Sequence, residues 1–255
     1  QGWDEKSFAD AARQYVAMGY DYIAVGSMVR RKTQEILSIV SAVRAVIPNH
    51  TRLHLFGVAR LNAINQLANA GVTSADSASA LRRAWLGTGN NYLGANGEQY
   101  AAIRIPEGGK SFRAKRMVSE GRATLEEVLR LERASIDAMH AYDRGQMSIG
   151  EVLDILHEYD QLITPDRPDN RRVLREALEA KPWKACGCAI CKKDGIDVMI
   201  FRGNNRNRRR GFHNTYRFYN LMQRALAGEK LFLGVDDAEA VDTTQMPLFA
   251  GAEEV

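Results

Sequence analysis

Apolar residues over the first ninety positions alternate between helical and strand spacing. Phe8, Ala11, Ala12, Tyr15 and Val16 share one face of a helix over residues 4–18, which Gly19 closes. Tyr22-Ile23-Ala24-Val25-Gly26 is a short apolar run and reads as a buried strand. Helical spacing returns over 33–46, with Ile36, Leu37, Ile39, Val40 and Val43 on one side, until Pro48 and Asn49 break it. Residues 53–58 read as a second buried strand, 60–70 as a helix closed by Gly71, and 72–75 as a third, weaker strand. Helices and strands joined by such short connections predict parallel βα units. No Gly-x-Gly-x-x-Gly follows any strand, which disfavours a dinucleotide site. The expected fold class is therefore α/β, a TIM-type (β/α) barrel, whose chemistry sits at the C-terminal ends of strands. Those ends are Gly26-Ser27-Met28, Gly57-Val58-Ala59 and Asp76-Ser77.

The rhythm then changes. Residues 84–123 are rich in Gly and Asn, with a short strand expected over 100–105. Thr124-Leu125-Glu126-Glu127 and Ser148-Ile149-Gly150-Glu151 carry capping-box patterns that open helices to about 142 and 159. Further helices are expected over 171–180 and 214–226, and the last 25 residues read as a mostly disordered tail.

Composition narrows the class. The chain has 255 residues, 45% hydrophobic and 26% charged, which excludes collagen, coiled coil and global disorder. No apolar run reaches the ~18 residues of a membrane span, and no secretory pattern opens the chain, so a cytoplasmic protein is expected. The start at Gln1-Gly2-Trp3, without Met, reads as a fragment or a processed product. The net charge of +4 hides an asymmetry: Asp236, Asp237, Glu239, Asp242, Glu253 and Glu254 lie in a base-free tail, so residues 1–230 carry +10. A body this basic suits a polyanion, although ordinary surface lysines and arginines explain it too. Arg202, Arg206, Arg208, Arg209, Arg210 and Arg217 form an acid-free run, read as a phosphate-contacting loop or as a solvated charge run.

All three cysteines lie within six residues, Cys186, Cys188 and Cys191, which excludes a spread disulfide framework and points to a reducing compartment. With His213 they form C-x-C-x2-C-x21-H, a ligand set for structural Zn²⁺, expected to enclose a small hairpin over 197–201. An iron–sulfur cluster, or three thiols beside a chance histidine, are the alternatives. A closed site of this kind holds a fold together and leaves no position for substrate.

This cluster, with His213-Asn214 after it, resembles the zinc subdomain of the tRNA-guanine transglycosylases, with a slightly shorter spacing to His. Four other segments match that family in order. Gln1-Gly2 resembles its Gln-Gly, and Ile23-Ala24-Val25-Gly26-Ser27-Met28 resembles its Ala-Ile-Gly-Gly-Leu turn. Leu55-Phe56-Gly57-Val58 resembles its Leu-Met-Gly-Val-Gly, and Gly71 to Ala78 resembles the strand bearing its nucleophilic aspartate. The resemblance covers roughly residues 1–83 and 182–222. It implies the C-terminal half of a (β/α)8 barrel over 1–90, a mostly helical insertion over 91–181, a zinc subdomain and final helix over 182–228, and an acidic flexible tail over 229–255. The family's Asp-Ser-Gly-Gly-Phe-Gln segment is missing, so the first half of the barrel is expected upstream or on another chain.

The resemblance implies a pentosyltransferase that exchanges guanine for a 7-deazaguanine through a covalent aspartyl-glycosyl intermediate, with Asp76 as nucleophile. From the residues alone, Asp76 also fits a helix N-cap. The implied base pocket is Gln1, Gly26, Ser27, Met28, Phe56 and Gly57, with Ser27 replacing the family's usual Gly. Arg82, Arg83 and the arginine run would contact nucleic acid. A divergent branch of the family acts on DNA, and this chain is expected there. Ser79-Ala80-Leu81-Arg82-Arg83 replaces the Leu-Pro-Thr-Arg of the bacterial tRNA enzymes, no RNA-binding domain follows the zinc region, and residues 92–180 form an unusual insertion. tRNA is the alternative substrate. A non-catalytic nucleic-acid-binding module and an unrelated barrel enzyme are the alternative classes. Gln245-Met246-Pro247-Leu248-Phe249 resembles the peptide by which bacterial DNA-processing proteins dock on a sliding clamp.

Overall fold

The computed structural model describes residues 2–87 and 89–231. They fall into two compact units, 2–79 with 219–231, and 80–218.

The first unit begins with α1 (Glu5–Ala17), opened by Asp4. The Asp4 carboxylate accepts from the Ser7 amide at 2.8 Å, and the Ser7 hydroxyl accepts from the Asp4 amide at 3.1 Å. This reciprocal cap satisfies two of the amides that a helix start leaves unpaired. β1 (Tyr22–Val25), α2 (Thr33–Arg44), β2 (Arg52–Leu55), α3 (Ile64–Asn69) and β3 (Ser74–Ala75) follow in strict alternation. The three strands form one parallel sheet in the order β1-β2-β3, with Ala24 opposite His54 and His54 opposite Ser74. Along β1 and β2 the odd positions Ile23, Val25, Leu53 and Leu55 are buried. They pack with Ile36, Ile39, Val40 and Val43 of α2 and Phe8 and Ala12 of α1. The even positions lie on the other face, because side chains alternate along a strand. That face carries Tyr22, His54 and Ser74.

The expected helix over 60–70 begins only at Ile64. Arg60 is instead drawn in to hold the β1–α2 connection, donating to Thr33 Oγ1 at 2.7 Å and Arg31 O at 2.6 Å. Among the described residues the parallel sheet stops at three strands and closes no barrel, so the chain is described as mixed α/β.

α4 (Ser79–Leu86) leads into the second unit. β4 (Tyr92–Leu93) and β5 (Gln99–Tyr100) pair antiparallel, and β6 (Ile103–Arg104) follows. Next come α5 (Phe112–Ser119), α6 (Leu125–Asp143), α7 (Ile149–Ile163), α8 (Arg171–Ala180), α9 (Pro182–Ala185) and α10 (Ala189–Asp194). β7 (Ile200–Phe201) and α11 (Gly203–Leu226) end the described chain. Ser148 and Thr124 cap α7 and α6 as their sequence pattern predicts. A core of Val128, Leu131, Met139, Val152, Leu156, Tyr159, Val198 and Ile200 joins the long helices to the cysteine region.

The hairpin expected over 197–201 does not form. Residues 195–199 make a 3-10 turn, and β7 pairs in parallel with β6, Ile103 opposite Ile200. The last helix also starts eleven residues earlier than its apolar spacing predicts, at Gly203 rather than Asn214. Its added turns are Asn- and Arg-rich, and tertiary contacts hold them where propensity is weak.

Candidate metal centre and strand-end carboxylate

The ligand atoms of Cys186, Cys188, Cys191 and His213 all lie within 4.8 Å of one another, and all four residues are buried. Their placing follows from local structure. Cys188 is the N-cap of α10, its sulfur accepting from the Cys191 amide at 3.3 Å. His213 projects from α11. Its Nε2–H donates to Leu93 O at 2.9 Å, which leaves Nδ1 as the lone-pair nitrogen. Nδ1 then lies 3.5, 3.4 and 3.3 Å from the sulfurs of Cys186, Cys188 and Cys191.

One lone pair can accept from one thiol, so three sulfurs around it are not explained by hydrogen bonding. A cation at their centre explains them. Zn–S bonds of ~2.3 Å and a Zn–N bond of ~2.0–2.1 Å give tetrahedral S···N edges of about 3.5 Å. The residues thus fit a metal ion. Surrounding groups hold the ligands as such sites require. The Tyr92 ring stacks on His213 at 4.0 Å, and its hydroxyl lies 3.1 Å from Pro182 O and 3.3 Å from Cys191 Sγ. Asn214 accepts from Leu93 N at 2.9 Å and donates to Ala80 O and Asn91 O. His213 and Asn214 together therefore grip both polar groups of the Leu93 backbone.

The arginine run is helical and largely engaged, which corrects the expectation of a phosphate-binding loop. Arg210 is fully buried. Its guanidinium donates to Ala84 O, Val198 O, Ile200 O and Asn207 Oδ1, with Phe201 beneath it. Burial lowers its pKa to about 9, which still leaves it charged at neutral pH. Arg210 is a cross-link of the second unit and cannot reach a phosphate. Arg202 pairs with Glu132, Arg206 with Asp197 at 3.2 Å, and Arg209 with Asp194 at 2.6 Å. Arg208 and Arg82 are exposed, and Arg83 is half-buried.

In the first unit the parallel register brings three strand ends together. Asp76 follows β3 directly, its amide donating to Leu55 O at 3.3 Å. Its Oδ1 accepts from the Gly57 amide at 2.9 Å and lies 3.2 Å from His54 Nε2. The Gly57 amide holds the Asp76 carboxyl below its ordinary pKa; burial opposes this, and His54 adds to the lowering. A lowered pKa means that the carboxylate stays charged as pH falls into the usual carboxylate range. Gly57 has φ +74°, and a Cβ there would lie 2.6 Å from Val29 Cγ2. Only glycine presents this amide to Asp76 without strain.

Ser27 has φ +62°, a left-handed conformation that non-glycine residues rarely adopt. Met28 beside it is fully buried, whereas Phe56 is 54% exposed and meets His54 edge-on at 4.9 Å. Gly26 faces Phe56, 3.8 Å from where its Cβ would be. Asp76, Gly57 and Phe56 therefore cluster with Gly26, while Met28 belongs to the core. Gln1 and the Gln245–Phe249 segment lie outside the described residues. Sequence reasoning missed His54, Ser74 and Tyr22. Their one signal was three polar residues at same-face positions of apolar strands.

These features define a mixed α/β protein with a buried Cys₃His centre and an anchored carboxylate at a strand end. No family model matches the chain. A curated relative from Salmonella montevideo, named DNA-guanine transglycosylase, is 34% identical over 228 residues, 89% of this chain and 55% of the relative. This similarity supports a relationship with the guanine transglycosylases. It spans about half the length of the curated relative it matches. Among the described residues no helix is long and apolar enough to cross a membrane.

Metal analysis of the purified protein is expected to return one zinc per chain. Chelation should unfold the second unit, because a ligand set of this kind couples binding to folding. A coloured iron protein, or a chain without metal that melts identically with and without chelator, would contradict this. Separately, Ser27→Gly removes a left-handed strain worth about 1 kcal/mol. It should raise resistance to urea unfolding by up to that amount, and a loss of stability would show that the turn is not strained.

Proposed function

We propose that this chain carries the nucleophile-bearing part of a transglycosylase that exchanges guanine in DNA for a 7-deazaguanine base. The observation that supports this is the setting of Asp76: charged at neutral pH, anchored through Oδ1, and 59% exposed in its side chain at a strand end. Asp76 attacks C1′ of the nucleotide, a C1′–O bond forms, and the C1′–N9 bond breaks with its electron pair on guanine. Guanine leaves after taking a proton from an acid–base residue that we assign to the protein beyond this stretch. The incoming base then bonds C1′ through N9 and the carboxylate departs.

The half-exposed Phe56 offers a stacking face for a purine. The Gly26–Ser27 turn offers hydrogen bonds to its polar edge. The βα units are read as part of a (β/α)8 barrel, since chemistry at the C-terminal ends of parallel strands is the habit of that fold. Zinc is assigned to the Cys₃His centre as a structural ion. DNA is favoured over tRNA by the name of the Salmonella relative. Exposed Arg208 and Arg82 suit phosphate contact.

Asp76→Ala in the intact protein should lower labelled-base exchange on DNA at least ~1000-fold while circular dichroism and DNA binding are unchanged. Residual exchange above about a thousandth of wild type would count against covalent catalysis by this residue. Exchange on tRNA but not on DNA would reassign the substrate.

A further inference from the structure

Three polar side chains behind Asp76 form a string that the apolar periodicity of the strands does not require. His54 Nε2 lies 3.2 Å from Asp76 Oδ1, and His54 Nδ1 lies 2.6 Å from Ser74 Oγ. Ser74 Oγ in turn hydrogen-bonds the Tyr22 hydroxyl. The register explains the alignment, since His54 is paired with Ser74 on one side and Ala24 on the other.

One arrangement of protons satisfies the string with a neutral imidazole. An ionised carboxylate only accepts, so His54 Nε2 carries the proton and donates. Nδ1 then accepts from the Ser74 hydroxyl, and Ser74 accepts from Tyr22 O–H. Each donor is used once. The string fixes the histidine's tautomer from behind, as second partners do for catalytic and metal-binding imidazoles.

We propose that His54, held by Ser74 and Tyr22, is a positioning residue that makes Asp76 a good leaving group and so governs the second half of the exchange. This rests on Asp76 being the nucleophile. Both donors, Gly57 N–H and His54 Nε2–H, fall on Oδ1, which leaves Oδ2 to form the C1′–O bond. In the free enzyme and after product forms, these hydrogen bonds go to a charged carboxylate. In the covalent intermediate they go to a neutral ester carbonyl, and charge-assisted bonds are roughly twice as strong. The donors therefore oppose formation of the ester and favour its breakdown. In that second step the N9–C1′ bond forms, the C1′–Oδ2 bond breaks, and its electron pair returns to the carboxylate. The N9 proton of the incoming base passes to the acid–base group that gave its proton to guanine.

The test follows the protein–DNA adduct on denaturing gels alongside base exchange, using the intact protein and a guanine-containing DNA oligonucleotide. His54→Ala should slow exchange by about 10- to 100-fold, while the steady-state fraction of adduct rises several-fold. His54→Gln, which keeps a donor, should restore most of the exchange rate and return the adduct to its low level. Ser74→Ala should raise the adduct in the same direction and by less, with the sheet intact, and it keeps the test available if His54→Ala does not fold. A merely structural role would lower exchange and adduct together in all three variants and would overturn the proposal. Unchanged exchange in His54→Ala would do the same. The Asp76→Ala control separates the two ideas. If that variant still forms adduct, the nucleophile is elsewhere, and the proposal for His54 falls with it.

Discussion

The strand-end site depends on the pairing of a two-residue strand with its neighbour. His54 opposite Ser74 and Leu55 opposite Ala75 are the whole of the β2–β3 register. A slip of one residue would turn Asp76 to the other face of the sheet and separate it from Gly57 and His54. What secures the register is the burial of Leu53 and Leu55, both fully enclosed against α2 and α1. The Leu53 amide and carbonyl also bond to Thr73, through Oγ1 at 3.1 Å and the backbone amide at 2.7 Å. Apolar burial on one face of the sheet thus sets polar chemistry on the other.

The second unit rests on a different device. Its β4, β6 and β7 strands are two residues each and contribute little by themselves. They are held by buried polar groups: His213 and Asn214 on Leu93, Arg210 on three backbone carbonyls, and Tyr92 against the cysteines. Such networks stabilise only when each member is satisfied, since an unpaired buried polar group costs about 1–3 kcal/mol. A metal ion would complete this one, because the three sulfurs otherwise share a single imidazole lone pair.

Legibility in the sequence tracked the physics of each signal. The βα alternation of the first unit was readable because Ile36, Ile39, Val40 and Val43 repeat at helical spacing over about two turns. The Cys₃His group was readable because three thiols within six residues restrict the chemistry. The arginine run of 202–217 was read as a phosphate-contacting loop or a solvated charge run, because partners such as Glu132 and Asp197 arrive only from distant segments. Arg210 shows the same limit: nothing nearby in sequence tells that its partners are Ala84, Val198 and Ile200 carbonyls. His54 was passed over because a single histidine within the apolar run of 53–58 carries no signal of its own. Its role appears only when β3 brings Ser74 and Asp76 alongside.

We assign Asp76 the role of carrying the sugar during exchange. Its most direct test is mass spectrometry of the covalent protein–DNA adduct after nuclease and trypsin digestion. The tryptic peptide over residues 61–82 contains Asp76 as its sole carboxylate side chain. The mass of the base-free deoxyribose phosphate is expected on this peptide, at Asp76. An adduct on any other peptide would contradict it, as would full exchange with no adduct under rapid quenching.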